Sequence, residues 1–232
     1  MTTSTELPDR DNSWRSTEVS GIPGPDVAVV AVIGDVVGSR SHADRHALQV
    51  ALREALTVAS SSTEPMQPFQ MTIGDEFQGV FQSIDDAIHA TFLVQLQLVD
   101  TARVRFGIGV GTITVLTERG PFEQDGPAWW RARAAIEAVQ EAEDSYGAPP
   151  RWATGIASDD QDVGPVQAYL QLRDHLMADV DAVDADILYG LLRGRTQADI
   201  SRSLGLDKGA VSRRVSRHGL SALLWSLREF RS

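Results

Sequence analysis

The length, composition and charge of the chain exclude several classes of protein. Its 232 residues are 42% hydrophobic and 23% charged, a composition typical of globular domains and not of disordered or membrane-embedded chains. The length allows one larger and one smaller domain. No cysteine is present, which excludes disulfides and thiolate metal sites. The N-terminus lacks signal-peptide features and no apolar run approaches the roughly 18 residues that cross a bilayer, so we expect a cytoplasmic protein without a membrane partner.

The net charge of −11 is distributed unevenly along the chain. Nine basic and three acidic residues lie in 191–232, which gives this part a net charge of +6, whereas residues 1–190 carry −17. An acidic average argues against nucleic-acid binding, because DNA repels negative charge. The separation into an acidic part and a basic part instead predicts two functions in one chain.

The predicted elements begin after a polar N-terminal segment. Residues 1–25 are mostly polar and end in a Gly/Pro-rich stretch, which predicts a flexible tail. The β-branched run at 27–33 predicts a central strand that is buried on both faces. Ser41, followed three positions later by Asp44, is predicted to cap the first helix.

A hairpin, a second helix and a fourth strand follow. Strands are predicted at 69–73 and 77–81, with a tight turn at Gly74 and Asp75 between them. A helical stripe then leads to a long strand at 104–115. The resulting order is β-α-β-β-α-β, the ferredoxin-like plan, for which we expect an antiparallel sheet with helices on one face.

This plan divides the chain into four parts. After the tail, residues 26–160 are predicted to form an α+β domain that a further helix and a short strand extend. Residues 161–182 are interpreted as a helical linker. Residues 183–232 contain only helical patterns and are predicted to form a small all-α domain.

Two carboxylates follow strands that are neighbours in a ferredoxin-like sheet. Asp35 lies at the end of the first strand and Asp75 at the tip of the hairpin, so we expect them to converge at one edge. Converging carboxylates repel each other unless a cation is bound, and Mg²⁺ prefers such oxygen ligands together with phosphates. Backbone amides of Gly38 and Ser39, with the charge of Arg40, are candidates to hold a phosphate. The alternative is that both acids are ordinary turn residues, because Gly-Asp is common in turns.

Three segments of the chain resemble the core of the nucleotidyl cyclase superfamily, which includes class III adenylate and guanylate cyclases and diguanylate cyclases. They are, in order, VAVVAVIGDVVGSR, FQMTIGDEFQGVF and RFGIGVGTI. The resemblance implies that Asp35 and Asp75 bind divalent metal ions, Mg²⁺ or Mn²⁺, with the backbone carbonyl of Val36 as a further ligand. Arg105 matches the arginine of the third segment and is a candidate nucleotide-binding residue. Taken over its whole length, the sequence resembles the SatD family.

The sequence departs from the cyclases at the residues that stabilise the transition state. Where class III enzymes carry an asparagine and an arginine on one helix, this chain has Trp130 and Ala134, although Arg133 lies one residue away. Loss of such groups costs orders of magnitude in rate. The sequence therefore favours metal–nucleotide binding over cyclase catalysis and leaves the catalytic residues unassigned.

The basic C-terminal part carries a helix-turn-helix pattern. Thr196 is predicted to cap a helix that ends at the turn residue Gly205, and the following segment KGAVSRRVSRHG resembles the recognition helix of bacterial regulators. We expect it to present polar and basic side chains to the DNA major groove. These candidate DNA-binding residues are Lys208, Ser212, Arg213, Arg214 and Arg217. The alternative is a three-helix bundle that makes protein contacts.

Three functional hypotheses follow from the sequence. The leading one is a DNA-binding regulator whose N-terminal domain binds a metal-bound purine nucleotide as a signal. It would act as a homodimer, because one such module binds DNA weakly. The alternative is an active nucleotidyl cyclase or nucleotidyltransferase with a regulatory helix-turn-helix tail. A third is that the cyclase-like domain serves only in dimerisation.

Overall fold

The structure is a computed structural model, and it describes residues 27–115, 124–143, 145, 151, 153–217 and 219–229. The predicted flexible tail at 1–25 lies outside the described residues. Within the described part, the strands are β1 Val29–Val36, β2 Gln67–Met71, β3 Phe77–Phe81, β4 Val104–Gly111, β5 Thr114–Val115, β6 Gln124–Asp125 and β7 Thr154–Ala157. The helices are α1 Arg45–Thr63, α2 Ile84–Gln97, α3 Pro127–Glu143, α4 Gly164–Met177, α5 Ala182–Leu192, α6 Gln197–Leu204, α7 Lys208–Arg217 and α8 Leu220–Glu229. None of these helices combines the length and the apolar character that a membrane span requires.

The sheet has five strands in the order β2-β3-β1-β4-β7, and β5 and β6 form a separate ribbon. The predicted mixture of strands and helices is therefore confirmed. The four strands of the βαββαβ core, β1 to β4, pair antiparallel with their neighbours, whereas β7, the strand that extends the core, pairs with β4 in parallel. The chain reaches β7 through the crossover helix α3, and a crossover of this kind returns the chain in the same direction.

Helices cover both faces of the sheet: the core helices α1 and α2 share one face, and α3, the helix that extends the core, covers the other. Val30 and Val32 belong to the cluster that contains α1 and α2. Their neighbours Ala31 and Ile33 pack in a second cluster with α3. A strand that is apolar on both faces needs a covering layer on each side, and α3 supplies the second one.

Glycines in β4 let α3 lie directly on the sheet. A Cβ atom at Gly107 would overlap the carbonyl oxygen of Ala132, and one at Gly109 would overlap that of Ala128. Strand glycines of this kind allow a backbone to approach closely. The close packing of α3 on the sheet thus depends on the absence of side chains at Gly107 and Gly109.

A buried ion pair attaches α4 to the α/β part. Arg173 donates to the carbonyl oxygen of Ile88 at 3.3 Å and to the hydroxyl of Thr91 at 3.0 Å, both in α2. Asp174 accepts from the backbone N–H of Ala153 at 2.9 Å, next to β7. The segment predicted as a linker therefore contains a helix with buried polar anchors, and one continuous apolar cluster extends from the sheet to α8.

We predict that Gly109→Ala lowers the free energy of unfolding by about 3 kcal/mol, because the added methyl group forces α3 away from β4. Chemical denaturation measured by circular dichroism tests this. Gly164→Ala is the matched control, because its Cβ meets only a flexible aspartate side chain. Equal stability of the two variants would contradict the close packing of α3.

Candidate functional site

Asp35 lies in β1 directly opposite Arg105 of β4. The guanidinium donates from Nε to Oδ1 at 3.0 Å and from Nη2 to Oδ2 at 2.7 Å, so both carboxylate oxygens are engaged. Arg105 also donates to Glu143 at 3.2 Å. Burial alone would lower the pKa of Arg105, but hydrogen bonds and charges from Asp35 and Glu143 raise it. The guanidinium is therefore charged and held between two carboxylates.

Asp75 lies in a small hollow on the β2–β3 turn, away from the Asp35 pair. The hollow has a volume of about 20 Å³ and its wall includes Val36, Ser39 and Arg45, but not Asp35. This is room for about one water molecule or one ion. The structure thus brings three of the predicted residues, Val36, Ser39 and Asp75, to one place and keeps Asp35 out of it.

The loop between β1 and α1 forms the rim of this hollow. Gly38 has a φ of 68°, a left-handed conformation that favours glycine, and residues Ser39–Ser41 form a 3₁₀ turn. Ser39 is buried and Arg40 is exposed. Ser41 donates to the carbonyl oxygen of Gly38 at 2.8 Å and does not cap α1.

The cap of α1 lies three residues later than predicted. Asp44 accepts from the backbone N–H of Ala47 at 2.9 Å, so α1 begins at Arg45. The 3₁₀ turn uses the Ser41 hydroxyl locally, and the carboxylate that was expected at the third helical position becomes the cap. The amide-rich start of α1 therefore lies beside Arg45, at the wall of the Asp75 hollow.

The arrangement of carboxylates decides how a divalent cation fits. Among the described residues, no group of three or more His, Cys, Asp or Glu side chains is placed to hold a metal ion. Arg105 occupies both oxygens of Asp35, so the predicted site with two free carboxylates is not formed in this structure. A Mg²⁺ ion that brings its own phosphate and water ligands needs only one or two protein carboxylates. Asp75 supplies one such carboxylate at this hollow.

The α3 side of the sheet contains a second ion pair that the sequence did not reveal. Arg133 donates from its two Nη atoms to the carboxylate of Glu76 at 2.7 and 2.8 Å. The hydrogen bonding of Arg133 to the Glu76 carboxylate is the largest influence on the pKa of Arg133 and raises it. Trp130, which is 61% exposed, donates to Asp125 at 2.6 Å. The only indication of this pair in the sequence was that Glu76 is an acid directly after Asp75 in the hairpin motif.

The C-terminal helices α6 and α7 are joined by three residues. Thr196 and Asp199 form a capping box at the start of α6, and Gly205 ends it with a φ of 65°. Val211 and Val215 of α7 are buried. The remaining side of α7 is exposed and carries the polar and basic residues Lys208, Ser212, Arg213, Ser216 and Arg217.

Comparison with known proteins identifies the family. The SatD family model matches residues 29–228. The chain belongs to the SatD family. A search of curated proteins found no match. Among solved structures, a bacterial light-regulated adenylyl cyclase is similar with a TM-score of 0.43 and 14% identity over 56% of this chain and 75% of that chain. A second structure described in the same way has a TM-score of 0.42 and 14% identity over 56% of this chain and 43% of the other.

In this SatD-family chain, Arg214 does not point outward as predicted. Its Nη1 donates to Asp181 at 2.8 Å and to Asp184 at 2.8 Å, both at the start of α5. Asp184 is fully buried, so its charge needs a partner inside the protein. Hydrogen bonds to Asp184 and Asp181 raise the pKa of Arg214. This side chain anchors α7 to α5 and is turned away from the exposed strip.

We predict that Arg214→Ala lowers the free energy of unfolding by about 2–3 kcal/mol, because it leaves the buried carboxylate of Asp184 without its cation. Thermal and chemical denaturation measure this loss. Arg213→Ala, the adjacent and exposed arginine, is the matched control and should change stability by less than about 0.5 kcal/mol. Equal effects of the two substitutions would contradict the anchoring role.

The same contact gives a pH dependence. Burial would raise the pKa of Asp181, but hydrogen bonds from Arg214 and from the backbone N–H of Asp184 outweigh it and lower the pKa. A lowered folded-state pKa adds stability above the unfolded value of about 3.9, and this stability is lost as the pH falls through the folded value. Denaturation at a series of acidic pH values should therefore show a smaller acid-induced loss in Arg214→Ala than in the natural protein. Identical pH profiles would contradict this.

Proposed function

We propose that this chain is a DNA-binding regulator whose α/β part binds a Mg²⁺-bound purine nucleotide as a signal. The observation that carries the proposal is the exposed strip on α7, which lies directly after the left-handed turn at Gly205. An α-helix with basic and hydroxyl side chains on one face matches the width and the hydrogen-bonding groups of the major groove. The charge of +6 over residues 191–232 supports attraction to phosphate.

The strip follows the helical repeat. Lys208, Ser212 and Ser216 are four residues apart and lie in one row, and Arg213 and Arg217 form the adjacent row. The nearest acidic group to Arg213 is Asp207 at 3.9 Å, an exposed and weak pair. The basic groups of the strip are therefore open to a partner, unlike Arg214.

The nucleotide part of the proposal is centred on Asp75. Mg²⁺ would be held by the Asp75 carboxylate and the Val36 carbonyl, and it would neutralise the phosphates of the nucleotide. Gly38, Ser39 and the cation of Arg40 would contact the phosphates from the β1–α1 loop. Asp35 would join as a second carboxylate only after release from Arg105, whose guanidinium would then be free to pair with phosphate.

Binding without turnover is preferred over cyclase activity. Arg133, the arginine nearest to the position that the cyclases use, is held by Glu76. Trp130 stands where they carry asparagine, and an indole does not provide the same hydrogen bonds. Incubation with ATP or GTP and Mg²⁺ or Mn²⁺ should therefore release no pyrophosphate. Pyrophosphate release would favour the enzyme alternative.

We predict that Arg213→Ala with Arg217→Ala weakens DNA binding by about tenfold or more and lowers the slope of log affinity against log salt by about two, since two phosphate contacts are lost. Fluorescence anisotropy with a labelled duplex of mixed sequence measures both quantities. Arg53→Ala is the control, because Arg53 is an exposed arginine on α1 and lies outside the α7 strip. Unchanged affinity and slope in the double variant would contradict the role of α7 and favour a helical bundle for protein contacts.

We predict that Mg²⁺ with ATP or GTP raises the melting temperature of the full chain, and that either component alone does not, because the metal joins Asp75 to the phosphates. Asp75→Asn should remove this increase. Asp186→Asn, the same change at an exposed position of α5, should leave it intact. A metal-independent increase, or one that survives Asp75→Asn, would contradict the site.

A further inference from the structure

A cavity of about 510 Å³ lies at the junction between the α/β part and the C-terminal helices. One wall is the segment 98–104, which leads from α2 into β4, and the opposite wall is the end of α4 with Val180. Arg151 and Ala153, just before β7, close one side. Its volume lies within the range of about 300–1,000 Å³ that is usual for small-molecule pockets. The Asp75 hollow is formed by other residues.

The floor of the cavity is apolar. The side chains of Leu98, Val104, Met177 and Val180 line it and are at most 7% exposed. Burial of an apolar group of a ligand against them would be favourable. These residues favour a ligand with a compact apolar body.

Two arginines line the same cavity and are available to an anion. Arg103 is 60% exposed and pairs with Glu143, and Arg151 is 46% exposed and pairs with Asp179. Exposed pairs of this kind contribute little to stability, so the guanidinium groups can exchange their partners at low cost. A carboxylate or phosphate would receive charge-assisted hydrogen bonds from them.

The acidic residues of the cavity wall differ in how strongly they oppose the binding of an anion. Asp174 is fully buried and is neutralised by Arg173 at 2.8 Å. Gln95 also donates to Asp174, at 3.1 Å, and this fixes its amide so that the buried Oε1 has no donor among the described residues. A small rotation of the amide would let a ligand hydroxyl or amine satisfy Oε1. Asp100, which also lines the cavity, is exposed and would repel an anion.

We infer that this cavity is an effector site for a small amphiphile with an apolar body and a carboxylate or phosphate head. Leu98, Val104 and Met177 would contact the body, and Arg103 and Arg151 would contact the head. The nucleotide site and the DNA-binding helix require neither of these arginines.

The position of the cavity connects it to α7. Asp100 at the wall accepts the backbone N–H of Ala182, the first residue of α5, at 3.2 Å. The adjacent N-cap residue, Asp181, holds Arg214 of α7. Occupation of the cavity would therefore bias the α5–α7 contact and the affinity for DNA, and DNA would change the affinity for the amphiphile by the same factor. This consequence rests on the proposed function, whereas the site itself does not.

Isothermal titration of the full chain tests the site. The probes are octanoate and octyl phosphate, which separate the two head groups, with octan-1-ol for the body alone and inorganic phosphate for the head alone. We expect one of the two amphiphiles to bind at least about tenfold more tightly than either fragment. Absence of binding by both amphiphiles, or equal binding by octan-1-ol, would overturn the site.

Two variants locate the binding. Arg103→Gln with Arg151→Gln should weaken the amphiphile by about tenfold or more, through loss of charge-assisted hydrogen bonds. Arg53→Gln is the matched control and should have no effect. Ala178→Trp places bulk at the exposed edge of the cavity with little change to the core, and it should block binding while circular dichroism remains that of the natural protein. Unchanged affinity in both cavity variants would show that the amphiphile binds elsewhere and would overturn the site.

DNA titrations with and without the amphiphile separate the two proposals. Binding of the amphiphile with unchanged DNA affinity would keep the site and overturn its coupling to α7. A chain that binds the amphiphile but no DNA would contradict the proposed function and support the site.

Discussion

The structure depends on a pair of adjacent charged residues in its interior, Arg173 and Asp174, whose side chains have no exposed surface. Removal of two charges from water is costly, and the cost is recovered only when every remaining donor and acceptor finds a partner. Here the partners come from different elements: α2 supplies Thr91, and the β7 region supplies Thr154 and the N–H of Ala153. Because both charges find these partners with α4 in this position, the pair anchors that helix to the sheet.

The position of α4 then determines the position of everything that follows. The direction of the chain after α4 brings Val180 and Asp181 next to Asp100. The Asp100 carboxylate accepts the backbone N–H of Ala182, the first residue of α5. Asp181 and Asp184 in turn hold Arg214, and so the orientation of α7. A sequence of ion pairs and capping contacts therefore extends from the sheet to the exposed basic strip. Asp100, Asp181 and Asp184 are therefore engaged in contacts inside the protein. The basic groups of α7 other than Arg214 lie at the surface.

Patterns that depend on local spacing were predictable from the sequence. β3 spans the predicted residues 77–81, and the helical stripe predicted after the hairpin forms α2. The β-branched run of β1 correctly indicated burial on both faces. That burial requires a covering layer on each face, and α3, which lies outside the βαββαβ core, supplies the second one.

Contacts between distant residues were not predictable from spacing. The pairing of Asp35 with Arg105 follows from the register of β1 against β4, which no local pattern encodes. The same holds for Arg214. From the sequence alone it is predicted to be exposed like its neighbour Arg213, and only the contact with the buried Asp184 of α5 distinguishes the two. Ser41 and Asp44 are both good capping residues, and only the 3₁₀ turn after Gly38 decides between them. In each case, the structure gives the side chain a partner that lies elsewhere in the sequence or that depends on the backbone conformation, and local spacing does not reveal such a partner.

We propose that one chain binds a nucleotide in its α/β part and responds through α7. The most direct test is the affinity of the full chain for a DNA duplex, measured at fixed salt with and without saturating Mg²⁺ and ATP or GTP. We expect the complete metal–nucleotide pair to change this affinity by about fivefold or more, and neither component alone to do so. An affinity for DNA that is the same in all of these conditions would contradict it.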